Sequence, residues 1–136
     1  MIIDYVSLTR IAFEARERSL CPYSGFAVGA AVLCKSGEVY TGCNIECGSY
    51  SATVCAERVA IFKALSEGET DFTAIAIVGG NVDDEITDYC PPCGTCRQVL
   101  SEYCDADDFE IILAKSLDEY EIYSLSQLLP LAFTFA

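Results

Sequence analysis

The chain has 136 residues, 52% of them hydrophobic, and carries 21 acidic against eight basic side chains, for a net charge of −13. This length and apolar content predict a single domain, 1–136, with its own core. The charge disfavours nucleic acid as a partner, because nucleic-acid binders neutralise phosphates with Lys and Arg. We therefore expect any nucleotide-like ligand to be small and uncharged.

Hydrophobic periodicity and turn residues predict nine elements along the chain. In chain order they are a helix over 5–20, strands over 26–35 and 38–46, a helix over 52–66, a strand over 73–78, a short helix over 93–100, strands over 109–115 and 120–123, and a capped helical turn over 124–129. An acidic loop is expected over 79–92. This order predicts an α/β fold, a mixed sheet with helices on its faces. Only a few residues join the last two strands, too few for a parallel crossover, so these strands should be antiparallel.

The sequence contains nine cysteines and no histidine. An odd number of cysteines is poorly suited to a complete disulfide framework. The first twenty residues are interrupted by charges, unlike a signal peptide, and no later apolar run is long enough to cross a membrane. We therefore predict a cytoplasmic protein with reduced thiols, some of them buried and some available to a metal.

Two short motifs point to a metal centre. Cys93 and Cys96 stand three residues apart at the start of a predicted helix, where both thiols share one face. Alone, this pair fits a redox, structural zinc or catalytic zinc site. Upstream, Cys55 and Glu57 open another predicted helix. Together with Pro92, the two motifs match the all-cysteine form of the zinc base-deaminase signature, in the right order.

The chemistry of such a site explains its residue types. Zinc with three protein ligands keeps a fourth position for water, lowers the pKa of that water and so supplies hydroxide to attack the base. Glu57 is the candidate catalytic residue that shuttles protons from the water to the ring nitrogen and the leaving amine. A solvated glutamate on the helix surface is the simpler interpretation, but its place two residues from Cys55 favours catalysis.

Three thiolates carry more charge than one zinc ion and would raise the pKa of its water. Two helix N-termini, each worth about half a positive charge, would offset this excess. We also expect Arg58 to hydrogen-bond a ligand sulfur, and consider the same role for Arg97. A surface ion pair is the alternative for either arginine.

Cys90 leaves a different class of protein open. As a fourth ligand it would close the site and make the zinc structural, in a module without enzymatic activity. An iron–sulfur run would need a cysteine where Leu100 stands, and the Pro91–Pro92 pair suggests that Cys90 lies on an extended segment.

A thiol–disulfide protein using Cys93 and Cys96 is a third possibility, but it gives Glu57 no role. The other thiols are interpreted as core or loop residues: Cys21, Cys34, Cys43, Cys47 and Cys104.

Motifs along nearly the whole chain resemble the small cytidine deaminase family, and the three-cysteine ligand set resembles its homotetrameric branch. The resemblance implies a three-layer α/β/α sandwich on a mixed five-stranded sheet, with one zinc per subunit. It also implies hydrolysis of free cytidine or deoxycytidine to uridine or deoxyuridine and ammonia, in pyrimidine salvage. The motifs that carry it are YSGF at 23–26, VGAA at 28–31, GCNIE at 42–46, CAER at 55–58, PCGTCRQ at 92–98 and LLPLAF at 128–133.

The resemblance also implies a substrate site. Asn44 and Glu46, two apart at a strand end, point the same way and can hold hydroxyl groups; in similar proteins these positions bind the ribose. Phe26 resembles the aromatic residue that lines the pyrimidine pocket. The Ala56 N–H resembles the group that donates a hydrogen bond to the base carbonyl. Phe133 resembles the aromatic residue that each subunit contributes to the active site of its neighbour.

Two features depart from the family pattern, Cys47–Gly48 after the ribose motif and the long acidic loop over 79–92. They leave the details of substrate preference open. A different free aminated heterocycle, such as a blasticidin-type antibiotic, is therefore an alternative substrate. The net charge disfavours deamination of a base within a nucleic-acid strand. The short connection between the last two strands also disfavours it, because relatives that act on polynucleotides resemble a version of the fold with a helix in that connection.

Overall fold

All nine predicted elements form in the predicted order in a computed structural model, which describes residues 2–134. A 3-10 turn over Tyr50–Ala52 adds to them. Among the helices of this part of the chain, none has the length and apolar character that crossing a membrane requires. The elements are α1 (Tyr5–Arg16), β1 (Phe26–Cys34), β2 (Val39–Cys43), α2 (Ala56–Ser66), β3 (Phe72–Asn81), α3 (Gly94–Tyr103), β4 (Glu110–Ala114), β5 (Tyr120–Ser124) and α4 (Leu125–Leu128).

The five strands form one mixed sheet in the order β2-β1-β3-β4-β5. Strands β3 and β4 are parallel, and α3 makes the crossover between them. Strands β4 and β5 pair antiparallel from Glu110–Ser124 to Ala114–Tyr120, which confirms the prediction for the last two strands. The predicted turn at 124 also forms, because Ser124 and Gln127 cap α4 reciprocally.

The helices divide between the two faces of the sheet. Alternate residues of β3 face opposite layers: Ala74 and Ala76 pack with α1, whereas Ile75 and Ile77 pack with α2, α3 and α4. Each layer has its own apolar cluster against the sheet. This arrangement is the three-layer α/β/α sandwich that the resemblance implied.

Helix α1 ends at Arg16, four residues earlier than predicted. The guanidinium of Arg16 turns to the ends of the central strands and donates to the carbonyl of Gly80 at 2.8 Å. The chain then leaves the helix, because the backbone of Leu20 bridges to the segment after β2: its N–H donates to Asn44 and its carbonyl accepts from Glu46. Long-range pairing therefore overrides the helical periodicity of 17–20.

Helix α2 begins at Ala56, later than the predicted start at 52. Val54 and Ile45 exchange two backbone hydrogen bonds of 2.9 and 3.0 Å, which hold the preceding residues in an extended conformation. Cys55 consequently takes the N-cap position of α2. The structure thus places a candidate metal ligand at the helix terminus itself.

Gly42 sets the height of α2 above the sheet. A Cβ at Gly42 would lie 2.2 Å from the carbonyl oxygen of Ala56 and 2.6 Å from the nitrogen of Ala60. Only glycine therefore permits the backbone of α2 to approach β2 this closely. The first turn of α2, which carries Glu57, rests directly on the strand.

Candidate metal centre and active site

Three cysteine sulfurs meet where α2 and α3 begin. Cys55 and Cys93 are the N-cap residues of the two helices, and Cys96 lies buried in the first turn of α3. The three Sγ atoms lie within 4.8 Å of one another, and those of Cys55 and Cys93 are 3.6 Å apart. Thiolates bound to tetrahedral zinc at about 2.3 Å would stand roughly 3.8 Å apart. The cluster therefore fits a single zinc ion.

The surroundings of the cluster favour a thiolate at Cys55, whereas a hydrogen bond to Cys55 and burial raise the pKa of the Cys96 thiol. Both helix N-termini direct their backbone dipoles towards it, and the N–H of Cys96 donates to Cys93 Sγ at 3.4 Å. The pKa of Cys55 is lowered to about 5, chiefly by a hydrogen bond from Cys96 and then by Arg58, despite its burial. Because a metal binds the thiolate form, these groups prepare the site for a cation.

Arg58 lies against the cluster. Its Nη2 donates to Cys55 Sγ at 3.5 Å, and its Nε is buried without a hydrogen-bond partner among residues 2–134. A guanidinium in this position supplies positive charge next to three sulfurs. Arg58 therefore lies within hydrogen-bonding reach of the sulfur of Cys55, one of the candidate metal ligands.

Arg97 takes a different position from the one considered for it. Its guanidinium donates to two backbone carbonyls, those of Pro92 and Leu128, instead of a ligand sulfur. The sequence placed Arg97 next to Cys96, but its side chain points away towards the C-terminal part of the chain. Arg97 therefore contacts the metal-binding turn through the backbone.

Glu57 is buried beside the sulfur cluster, with 4% of its surface exposed. Burial raises the pKa of its carboxyl group to about 7, and the charge of Cys55 contributes to the same shift. It is not one of the residues whose ligand atoms converge on the candidate metal position. A non-ligating carboxyl group that titrates near neutrality can both accept and donate a proton.

A cavity of about 340 Å³ opens next to Glu57. Its volume is in the range of small-molecule sites. Cys55 and Cys93 form part of its wall. The other predicted site residues that line it are Phe26, Asn44, Glu46, Ala56 and Glu57.

Asn44 and Glu46 are held by neighbouring backbone. The Asn44 amide completes the edge of β1: its Nδ2 donates to the Phe26 carbonyl at 2.8 Å and its Oδ1 accepts from Val28 N–H at 2.9 Å. Glu46 accepts from the N–H groups of Tyr23 and Ser24, at 2.9 and 3.1 Å. Ser19 Oγ also donates to Asn44 Oδ1, and Ser24 Oγ donates to Glu46 Oε2. One N–H of the Asn44 amide and one acceptor position of the Glu46 carboxylate are left to bind hydroxyl groups.

Phe133 lies apart from this cavity. Its side chain is 65% exposed and does not contribute to the lining of the cavity. Its carbonyl accepts a hydrogen bond of 3.2 Å from Gln98 Nε2, which ties the end of the described chain to α3. Within one subunit, Phe133 is therefore not brought together with the other predicted site residues.

Five residues that line the cavity were not predicted as site residues: Ser24, Val28, Thr53, Val54 and Pro91. The period-2 pattern of a strand could have found Val28, because it shares a face with Phe26. Thr53 and Val54 carry no comparable local signal. They reach the cavity only because Val54 pairs with Ile45 just before α2.

Cys90 also lines the cavity but lies outside the sulfur cluster. Its Sγ occupies the space over Gly79, where a Cβ would be only 2.7 Å away. Burial raises the pKa of Cys90 to about 12, so this thiol stays protonated. The arrangement favours a site with three cysteine ligands over one closed by Cys90.

Comparisons with known proteins agree with this geometry. Residues 4–109, which include all three clustered cysteines and Glu57, match the sequence model described as "Cytidine and deoxycytidylate deaminase zinc-binding region". A cytidine deaminase of Halalkalibacterium halodurans is 46% identical over 132 residues, 97% of this chain and 96% of that protein. The crystal structure of cytidine deaminase from Burkholderia pseudomallei is 39% identical with a TM-score of 0.85, covering 97% of this chain and 100% of that one. A blasticidin-S deaminase of Bacillus cereus is 36% identical over 110 residues, 79% of this chain and 76% of that protein.

Proposed function

Because the chain belongs to the zinc-binding cytidine and deoxycytidylate deaminase family, we propose that it hydrolyses free cytidine and deoxycytidine to uridine and deoxyuridine, with release of ammonia. The observation that carries this proposal is the buried, non-ligating Glu57 beside three clustered thiols, at the wall of a cavity of nucleoside size. The net charge of −13 supports an uncharged nucleoside over a phosphorylated one.

Cys55, Cys93 and Cys96 would hold the zinc ion. With three thiolate ligands, bound zinc would keep a fourth position for water and supply a nucleophile near neutral pH. Glu57 accepts a proton from the attacking water and donates it to the ring nitrogen. It then accepts the second proton of that water, now a hydroxyl group on the base, and delivers it to the amino group, which leaves as ammonia and frees Glu57 as the carboxylate. Its burial excludes bulk water from these transfers.

The rest of the cavity positions the nucleoside. Ala56 is the first residue of α2, so its N–H has no partner within the helix and is free to bind the base carbonyl. Phe26, 39% exposed, offers an apolar face to the pyrimidine. Asn44 and Glu46 bind the sugar hydroxyls while the backbone contacts described above hold them in place. Selectivity for a nucleoside follows from this pair.

Arg58 is proposed to offset the charge of the thiolates. Replacing it with alanine should weaken zinc retention by about 10- to 100-fold, the usual cost of losing a group that supports a metal ligand. The loss is measured as zinc transfer to a competing chelator, with the exposed Arg18→Ala as the matched control. An Arg58→Ala protein that retained zinc and turned over like the parent would contradict the role.

We further propose a single-domain subunit, 1–136, that assembles into a cytoplasmic homotetramer acting in pyrimidine salvage. Phe133 would then complete a neighbouring subunit's site, since it is exposed and remote from its own cavity. Sedimentation equilibrium of the purified protein should give the mass of four subunits. A monomeric mass together with full activity would exclude shared active sites.

The experiment that tests the proposed reaction is turnover of cytidine by zinc-loaded protein, with blasticidin S as the competing substrate. Blasticidin S is chosen because the blasticidin-S deaminase of Bacillus cereus is similar to this chain. A higher kcat/KM for cytidine supports the nucleoside assignment and the role of Asn44 and Glu46. Turnover of blasticidin S alone, by folded zinc-loaded protein, would replace that assignment with the antibiotic one.

A further inference from the structure

Arg97 connects two parts of the molecule that the proposed mechanism treats separately. Its Nε donates to the carbonyl of Pro92 at 2.7 Å, and its Nη1 donates to the carbonyl of Leu128 at 2.7 Å. Its own backbone N–H donates to the carbonyl of Cys93 at 2.9 Å. One side chain therefore bridges the turn that carries a zinc ligand and the last helix of the chain.

We propose that Arg97 is a positioning residue that couples zinc retention to the order of the C-terminal segment, residues 125–134. The proposal rests on the zinc site of the proposed function and adds to it. It assigns to Arg97 a role that is neither a ligand nor a contact to substrate.

On the metal side, Arg97 holds the peptide that leads into Cys93. Pro92 is fully buried, so its carbonyl needs a partner, and the guanidinium supplies one. The orientation of this peptide sets where the Cys93 sulfur lies relative to Cys96, whose N–H it accepts at 3.4 Å. Without the guanidinium, the buried carbonyl would have to turn towards water, and the sulfur would move with it.

On the other side, Arg97 holds a helix that is too short to be stable alone. Helix α4 has four residues, and isolated helices of this length do not persist in water. Leu128 is its last residue, where the carbonyl has no partner within the helix and a cation is favourable. Farther along, Gln98 Nε2 donates to the carbonyl of Phe133 at 3.2 Å, a second attachment of the segment to α3 that is independent of Arg97. The N–H of Ser126 also donates to the carbonyl of Ala106, at 2.8 Å.

The geometry of the bridge requires arginine. Two nitrogens of one rigid planar group donate to two carbonyls that lie 36 positions apart in the sequence, and a lysine ammonium cannot reproduce this fork. Coupling between two sites is reciprocal by thermodynamic necessity. Zinc binding should therefore slow amide exchange in residues 125–134, and the same bridge should slow zinc release.

The test compares Arg97→Gln and Arg97→Lys with Gln98→Ala, which removes only the second attachment. Zinc release to an excess of chromogenic chelator should accelerate about 10- to 100-fold in Arg97→Gln, with Arg97→Lys intermediate. Amide exchange of 125–134, followed by mass spectrometry, should rise in both variants and no longer respond to zinc. Gln98→Ala should raise exchange near Phe133 and release zinc at the parental rate.

Cobalt(II)-loaded protein reports ligand geometry directly. The thiolate-to-cobalt absorption should change in the Arg97 variants and remain parental in Gln98→Ala. Folded Arg97→Gln with parental zinc release, parental cobalt absorption or unchanged exchange in 125–134 would overturn the coupling. If Arg97→Gln does not fold, the same results in Arg97→Lys would overturn it.

The zinc content of the parent separates this inference from the proposed function. A folded parent that binds no zinc overturns both the deaminase assignment and the coupling. A parent that binds zinc and deaminates cytidine, with Arg97 variants that behave like it, overturns the coupling alone.

Discussion

Glutamine at position 57 should leave zinc bound and lower cytidine turnover by about 100- to 10,000-fold, the range that a positioned acid–base group contributes. The amide keeps the shape of the carboxyl group in its buried place beside Cys55, but it cannot accept and return a proton. Zinc content by mass spectrometry and kcat on cytidine, measured on the same preparation, separate loss of chemistry from loss of metal.

The matched control is Glu67→Gln at the C-terminal end of the same helix, where the side chain is exposed. This variant should retain parental kcat. Parental kcat in Glu57→Gln would remove the proton shuttle from the mechanism.

Alanine at position 96 should reduce bound zinc from one per subunit to a small fraction and abolish turnover with it. Cys96 is fully buried, and its sulfur lies within 4.8 Å of the other two, so no solvent-exposed group can easily replace it. Metal content after gel filtration and activity on cytidine are the measurements. The fold should survive, because a chain of this size can bury enough surface without a metal.

Cys90→Ala is the control for this loss, since it removes a cavity thiol only six residues from Cys96. The Sγ of Cys90 packs over Gly79 and lies outside the cluster, so zinc content should stay parental. Zinc loss in Cys90→Ala, with zinc retained in Cys96→Ala, would exchange the roles of the two residues. The site would then have Cys90 as a structural ligand.

The order of elements and the layers of the sheet could be predicted because their signals are local. Alternating small and large residues at 74–77 face the two helical layers, and the short connection before β5 dictates its antiparallel pairing. Local signals could not predict the ends of α1 and β2 or the start of α2. These boundaries depend on a backbone bridge in which Leu20 pairs with Ile45, and Ile45 pairs with Val54. That bridge joins three separate loops and has no local pattern.

The site divides in the same way. Sequence spacing predicted the sulfur cluster and the place of Glu57, since each motif opens one helix and the two helices meet at their N-termini. It could not assign Arg97, whose partner at Leu128 lies 31 positions away and is a backbone carbonyl that any residue would provide. Nor could it find Thr53, which reaches the cavity through the pairing of its neighbour.

Backbone meets backbone where α2 crosses β2 at Gly42, so no layer of side chains separates the start of this helix from the sheet. A layer of side chains allows two packed elements to shift against each other when a protein is heated, because side chains can change rotamer. Direct contact between two backbones offers no such freedom. The first turn of α2 and the strand beneath it should therefore move as one rigid body. The carboxyl group of Glu57, in this first turn, should then keep its alignment with the sheet as the temperature rises.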